Sequence, residues 1–184
     1  MEIEECIRGR RSVRHYSDEP VSKDHIEAVL EAGVWAPTGM NRQPWKFIVV
    51  EDKDVIKLVS DEAKKLVSEV MPNMAEMMDS EDDVICYRAP VLILICAESD
   101  ERWSQVNLLD SVLAAQNMFL KAHELGLGTC YMGFVALLKQ KPGILGTIGV
   151  PDGLELMVPL ILGHPKGEQP PGERNKPDVT AWIK

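Results

Sequence analysis

The segment 108–125 constrains the fold more than any other part of this sequence. It is long enough for a helix, yet apolar residues cover nearly all of its sides. A helix on a protein surface shows one apolar stripe, so this pattern places the segment inside a protein core or a dimer core. Gly126 and Gly128 end the helix. Its apolar residues are Leu109, Val112, Leu113, Ala115, Met118, Phe119, Leu120 and Ala122.

Shorter patterns predict an α+β fold, with helices flanking one sheet. Residues 2–8 predict a short helix that ends at Gly9, a residue suited to the left-handed conformation past a helix end. Ser22 and Asp52 are suited to cap two longer helices, and Pro72 ends the second of them. Four apolar or β-branched runs predict buried strands. These runs are 45–50, 91–97, 129–135 and 156–162.

The chain of 184 residues predicts a single domain over 1–184 with a C-terminal arm. After Gly163 the composition shifts to proline, glycine and polar residues, and apolar character returns at Trp182. We therefore expect 164–184 to form an arm that crosses a surface and anchors its tip. The segment 71–83, with four methionines and five acids, is either a helix or a loop.

The overall charge excludes some functions and favours others. A formal net charge of -9 argues against binding to nucleic acids, which requires broad phosphate neutralisation, and against docking on anionic membranes. No apolar run reaches the length of a membrane span, and the acidic N-terminus does not resemble a secretory signal. We expect a cytoplasmic protein with reduced thiols and no metal site. The thiols are Cys6, Cys86, Cys96 and Cys130.

Four arginines, at positions 8, 10, 11 and 14, fall within seven residues of this acidic chain. The planar guanidinium group donates paired hydrogen bonds and keeps its charge, so arginine is suited to holding a phosphate. Ser12 adds a hydroxyl donor. The alternative is a solvated helix end, where arginines complement the helix dipole, and this segment alone favours that alternative.

A second unusual segment, 36–47, packs turn-forming residues, an amide and an aromatic side chain before a buried strand. Its backbone N–H groups and Asn41 could bind the polar edge of a flat heterocycle. The alternative is an ordinary loop between helix and strand, in which Pro, Gly and Asn are expected.

In combination, these segments resemble the signature of the FMN-dependent nitroreductase family. The resemblance covers nearly the whole chain in the right order, and each motif alone is weak. The matching segments are Arg10-Arg11-Ser12-Val13-Arg14, Ala36-Pro37-Thr38-Gly39 with Asn41, Gln43-Pro44-Trp45-Lys46-Phe47, Leu125 to Phe134, Pro159 to Pro165, and Arg174 with Lys176.

The resemblance implies an intertwined homodimer with a mixed or antiparallel central sheet and two FMN sites at the subunit interface. One subunit would supply the arginine segment, and the other would supply the 37–41 loop. Arg10 would lie near the phosphate, Arg14 near the N1/O2 edge of the ring, and the backbone of Gly133 near N5. None of these residues is assigned a certain catalytic role; Arg14 and Gly133 would tune the ring. The implied cofactor-binding residues are Arg10, Arg11, Ser12, Arg14, Pro37, Thr38, Gly39, Asn41, Met132, Gly133, Arg174 and Lys176.

The family resemblance also implies a reaction. NAD(P)H would reduce FMN, which would pass reducing equivalents to a nitroaromatic, a quinone or a similar acceptor in a ping-pong cycle. Three alternatives stay open: an enzyme that fragments its flavin, a reductive dehalogenase, and a non-catalytic FMN-binding or sensory module. Neither the acceptor nor the choice between NADH and NADPH follows from the sequence.

The sequence departs from the family pattern before the second predicted strand. Longer relatives place an Asn and a Lys there, against the pyrimidine edge of the flavin. Residues 80–84 offer no such pair, so another residue must contact this edge or the ring is held less tightly. The segment 71–83 matches no known substrate lid, and its methionines could equally fill the core.

Overall fold

A computed structural model describes residues 1–184 and contains one four-stranded sheet. The strands are β1 (Lys46–Val50), β2 (Val91–Glu98), β3 (Gly128–Tyr131) and β4 (Leu154–Gly163), in the order β1-β2-β4-β3. Every neighbouring pair is antiparallel. The helices are α1 (Ile3–Gly9), α2 (Lys23–Val34), α3 (Lys53–Val70), α4 (Ala75–Met78), α5 (Ser104–Glu124), α6 (Gly133–Ala136) and α7 (Pro142–Thr147), with 3-10 turns at Gly39–Asn41, Pro72–Met74 and Leu137–Gln140.

The sheet separates two apolar clusters, because successive side chains of a strand point to opposite faces. On β2, Leu92 and Leu94 belong to the cluster that α3 covers, whereas Ile93 and Ile95 belong to the cluster that α2 and α5 cover. Every residue of β2 except Glu98 is buried. Because both faces of β2 are buried, its sequence is an unbroken apolar run and does not alternate between apolar and polar residues.

The predicted α+β class is confirmed, and so are three of the four strands, with small differences at their ends. Ser22 and Asp52 cap α2 and α3 as predicted: Ser22 Oγ accepts a hydrogen bond from His25 N, and Asp52 Oδ1 accepts from Asp54 N and Val55 N. The central helix begins four residues before the predicted start, at Ser104. The segment 71–83 forms a 3-10 turn followed by the single turn of α4.

The predicted strand 129–135 is wrong beyond Tyr131. Met132 N still donates to the carbonyl oxygen of Pro159 on β4, at 3.0 Å. Proline has no N–H to donate in return, so the hydrogen-bond ladder stops there. The chain turns at Met132 and enters α6 at Gly133.

The C-terminal arm and one side of α5 leave apolar residues exposed. The arm 164–184 contains no helix or strand, and Trp182 and Ile183 near its end are 78% and 94% exposed. On α5, Ala114 and Met118 pack against the sheet, whereas Leu109 and Val112 on the opposite side are about half exposed. None of the helices is both long enough and apolar enough to cross a membrane.

Candidate functional site

The N-terminal arginine segment is attached to the edge of the sheet. Ser12 forms an isolated parallel bridge with Thr129 on β3, and Val13 N donates to Thr129 O at 3.0 Å. Val13 is buried against Gly128, where any Cβ would lie 2.6 Å from Val13 Cγ2. This close packing fixes the residues on either side of Val13 at the end of β3.

Three predicted site residues meet at a cavity of about 310 Å³ beside the end of β3. They are Arg14, Met132 and Gly133. Arg14 is the one charged residue of the lining. Burial raises the pKa of the neighbouring Cys130 thiol, which therefore stays protonated and is a poor nucleophile. A Cβ on Gly133 would meet only Tyr131 Cε1 at an ordinary 3.5 Å, so the fold itself does not require glycine there.

We call Arg10, Ser12, Arg14, Met132 and Gly133 the strand-end group. Ser12 and Arg14 flank the buried Val13, and Met132 and Gly133 follow β3 directly. These four residues therefore depend on the same edge of the sheet, and Arg10 lies two residues before Ser12 in the same segment.

Arg10, Arg11 and Arg174 form a cluster of cations. Burial lowers the pKa of Arg10, and the charges of Arg174 and Arg11 lower it further. Arg11 is fixed by donating from Nε to Pro170 O and from Nη1 to the backbone oxygens of Arg8 and Arg10. None of the three arginines in the cluster forms an ion pair with a carboxylate. Such a cluster is electrostatically unfavourable until an anion binds it, so these donors fit a phosphate group.

His123 lies beside this cluster, a position that the sequence did not indicate. It shares a cavity of about 270 Å³ with Arg10 and Arg11, and burial followed by their charges lowers its pKa. The imidazole of His123 also leaves no room for a side chain at Gly9, because a Cβ there would lie 2.5 Å from His123 Nε2. The left-handed conformation expected at Gly9 is absent, because Gly9 is the last helical residue of α1.

The other predicted residues line neither of these cavities. Lys176 is exposed and forms no hydrogen bond or ion pair with the rest of the chain, and Arg174 Nη1 donates to the neighbouring Glu173 O. Pro37, Thr38, Gly39 and Asn41, which we call the loop group, line neither of the two cavities. The structure therefore does not bring the loop group and the strand-end group together within one chain.

The loop that carries the loop group has an unusual backbone. Met40, Asn41 and Gln43 all have positive φ values, of 56°, 54° and 48°. Non-glycine residues adopt this left-handed conformation rarely, because Cβ crowds the backbone. Met40 is also 85% exposed, so burial of its own side chain does not stabilise the loop.

Residues before and after α4 supply one wall of the cavity beside the end of β3. Met71 and Val84 line the cavity, together with Tyr87, whose ring centre lies 6.0 Å from the Arg14 guanidinium carbon. The methionines of 71–83 divide between two roles, since Met78 is buried in the core while Met71 faces the cavity. Tyr87 carries no sequence signal for this position.

Asp83 holds this wall in place. Its Oδ1 accepts hydrogen bonds from Ser60 Oγ and from the N–H groups of Ile85 and Cys86, and its Oδ2 accepts from Arg88 N. Burial alone would raise the pKa of Asp83, but these hydrogen bonds outweigh burial and hold it below its usual value. The turn that carries Tyr87 is therefore fixed by an ionised carboxylate.

Comparison with known proteins identifies the family. The model of the nitroreductase family matches residues 7–164. The chain belongs to the nitroreductase family.

Individual relatives match nearly the whole chain. An Archaeoglobus fulgidus protein, provisionally named an NADH dehydrogenase/NAD(P)H nitroreductase, is 30% identical over 91% of this chain and 89% of its own. An iodotyrosine deiodinase of Thermotoga neapolitana is 27% identical over 94% of this chain and 93% of its own. The crystal structure of a Bacteroides fragilis nitroreductase with bound FMN superposes with a TM-score of 0.85, at 28% identity over 100% of this chain and 98% of its own.

Proposed function

We propose that this protein is an FMN-dependent oxidoreductase that transfers hydride from NAD(P)H to a nitroaromatic, a quinone or a similar acceptor. The observation that carries the proposal is the convergence of Arg10, Arg11 and Arg174 without an acidic partner, next to an apolar cavity at Gly133. A phosphate group joined to a flat apolar ring matches this pair of features. The bound FMN of the Bacteroides fragilis relative supports the same choice.

The residues present divide naturally over the parts of FMN. Arg10 and Arg174 would hold the phosphate, with Arg11 holding the arm in place through Pro170. Ser12, Arg14, Met132 and Gly133 would bind the ring from the strand end. The loop group would reach the same ring from the partner subunit, which agrees with its separation from the strand-end group in one chain.

The chemistry that FMN supplies when bound is hydride transfer at N5, first from NAD(P)H and then to the acceptor. The guanidinium of Arg14 places a permanent positive charge at the cavity, where it stabilises negative charge that develops on a bound ring. The missing side chain at Gly133 leaves its backbone open to close approach. The apolar wall formed by Met71, Val84 and Tyr87 excludes water from this side of the cavity.

A homodimer would complete the site. Leu108, Leu109, Val112 and Leu113 form an exposed apolar face on α5, and the arm exposes Trp182 and Ile183. Contiguous apolar surface of this kind marks an interaction site on a protein in water. Light scattering coupled to size-exclusion chromatography would return twice the 20.5 kDa chain mass for a dimer.

The first test is an absorbance spectrum after FMN is added and the excess is removed, followed by anaerobic titration with NADPH and NADH. We expect about one flavin per subunit, bleaching by a pyridine nucleotide and recovery of the bands with a quinone or a nitroaromatic. Bound flavin that neither nucleotide reduces would favour a sensory module or another electron donor. Protein that binds no FMN would overturn the proposal.

Reductive dehalogenation is a second candidate, because the Thermotoga neapolitana relative is a deiodinase of nearly the same length. An iodotyrosine carries an ammonium group, and the cavity lining contains no carboxylate that could pair with it. The lining therefore favours an uncharged acceptor over an amino acid. Product analysis separates the candidates: iodide release identifies a deiodinase, flavin fragments after aerobic reduction identify a flavin-destroying enzyme, and intact flavin with reduced quinone identifies a reductase.

A further inference from the structure

Helix α5 holds the loop group through a buried carboxylate. Asp110, on the second turn of α5, is only 4% exposed. Both of its carboxylate oxygens accept the hydrogen bond of Gly39 N, at 3.2 and 3.3 Å. A buried carboxylate is costly unless donors compensate for the lost water, and Gly39 N is the donor that this chain supplies. The position of Gly39 is therefore set by Asp110.

A second attachment lies one helical turn away on the same face of α5. The Arg42 guanidinium stacks over the Trp103 ring at 4.0 Å, and its Nη1 donates to Asn107 Oδ1 at 3.0 Å. Asn107 is 1% exposed, and its Nδ2 donates to Glu98 O at the end of β2. Arg42 is thus joined through Asn107 to both α5 and the sheet.

Hydrogen bonds within the loop transmit these two attachments to Asn41. Thr38 Oγ1 accepts from Gln43 N, and Gln43 Nε2 donates to Asn41 Oδ1 at 2.9 Å. With Gly39 and Arg42 fixed from outside, the residues between them hold a left-handed conformation that they would otherwise leave. The backbone of the loop is therefore shaped by α5 and not by its own sequence alone.

We propose that Asp110 is a positioning residue of the flavin site, which holds Gly39 and Asn41 in the shape that binds the flavin ring of the partner subunit. The inference rests on the proposed function. Asp110 does not touch the flavin; it acts through Gly39, and Arg42 supports it through Asn107. Leu109 and Asp110 are adjacent on α5. The helix that would contact the partner subunit therefore also sets the shape of the loop that would bind the partner's flavin.

The test compares the affinities of FMN and riboflavin, measured by quenching of flavin fluorescence, in Asp110→Ala and in the wild type. The loop group would contact the ring and not the phosphate. The affinity of the variant for FMN and for riboflavin should therefore fall by the same factor, about tenfold or more. Arg10→Ala is the matched contrast: it should lose affinity for FMN and keep that for riboflavin. Asp110→Asn keeps an acceptor for Gly39 N and should restore most of the affinity.

Controls separate positioning from general damage. Glu124→Gln changes an exposed acid at the far end of α5 and should bind both flavins as the wild type does. Each variant is checked for dimer mass and melting temperature. If Asp110→Ala does not fold, Arg42→Ala removes the second attachment at the surface. This variant should bind FMN and riboflavin more weakly by the same, smaller factor of about threefold.

The outcomes distinguish the two proposals. Folded Asp110→Ala that binds both flavins as tightly as the wild type overturns the positioning role and leaves the proposed function intact. Loss confined to FMN also overturns it, because the carboxylate would then act on the phosphate site. Wild-type protein that binds neither flavin overturns the proposed function and the positioning role together.

Discussion

The strand-end group and the loop group are held by the molecule in opposite ways. Ser12 and its neighbours are joined to β3 by backbone hydrogen bonds and by buried contacts at Gly128. The loop that carries the loop group is exposed or half-buried, has left-handed backbone conformations, and depends on side chains of α5. One half of the proposed site therefore belongs to the core of its own subunit. The other half depends on a helix whose free side is apolar and exposed, so it should respond to assembly.

The largest effect should come from breaking assembly. Leu109→Glu with Val112→Glu places two carboxylates on the exposed face of α5, where each apolar side chain would contribute about 1.5–3 kcal/mol on burial. We expect a monomer by light scattering and a loss of FMN affinity of about 100-fold or more. Val70→Glu on α3, where Val70 is also about half exposed, is the matched control and should remain a dimer. A monomer that binds FMN normally would show that one subunit supplies the whole site.

A smaller effect should follow from damage to the strand-end group alone. Gly128→Ala places a methyl group 2.6 Å from Val13 Cγ2, which pushes the arginine segment away from β3. The expected loss is about 1–3 kcal/mol in the free energy of unfolding, measured by urea denaturation, with weaker FMN binding and an unchanged dimer. Adding Val13→Ala should cost less than the sum of the two single changes, because it removes Cγ1 and Cγ2 and relieves part of the clash, leaving Cβ at 2.8 Å.

The control for Gly128→Ala is Gly146→Ala in α7, where a Cβ meets nothing within 4 Å. That change should leave the free energy of unfolding unchanged or raise it slightly, because alanine favours a helix. Strict additivity of Gly128→Ala and Val13→Ala would show that contact between these two side chains does not set the position of the segment.

The two groups also differ in how far the sequence predicts them. The strand-end residues lie in or next to segments that local patterns identify, the basic segment and β3, but those patterns did not predict that the two segments meet. The sequence did not predict where β3 ends, because the cause lies on β4, at Pro159. Strand order was also beyond local patterns, since β2 pairs with β4 and not with β3, the next strand in the sequence.

For the loop group, the sequence predicts the residues that would bind but not what holds them. No local pattern links Asp110 to this loop. Its partner, Gly39, is 71 residues away and lies in a loop. Another polar residue of α5, Asn117, instead bonds to a neighbouring helix, donating to Ala32 O on α2. His123 and Tyr87 were missed for the same reason, because tertiary contacts alone bring them to the site.

The smallest effect should come from a change to the cavity wall that carries Tyr87. This wall belongs to neither group, so the change sharpens the comparison between them. Asp83→Asn keeps an acceptor for Ser60 but turns a donor toward Arg88 N, which should cost about 1.5 kcal/mol of unfolding free energy near pH 7. The pKa of Asp83 is lowered in the folded protein, so its contribution is fully present above the unfolded pKa of about 4 and is lost as pH falls below it. The difference between the wild type and the variant should therefore shrink in acid, as measured by urea denaturation at several pH values.

The same variant tests what the Tyr87 wall does. If the wall contacts the acceptor and not the flavin, Asp83→Asn should raise the KM for a quinone by about threefold while leaving the FMN affinity unchanged, since only a hydrogen-bonded turn is loosened. Asp152→Asn, at an exposed carboxyl that makes no hydrogen bond, controls for the loss of a charge. A fall in FMN affinity with an unchanged KM would mean that Tyr87 binds the ring itself. The wall would then count as a third flavin-binding segment, held by its own chain as firmly as the strand-end group is.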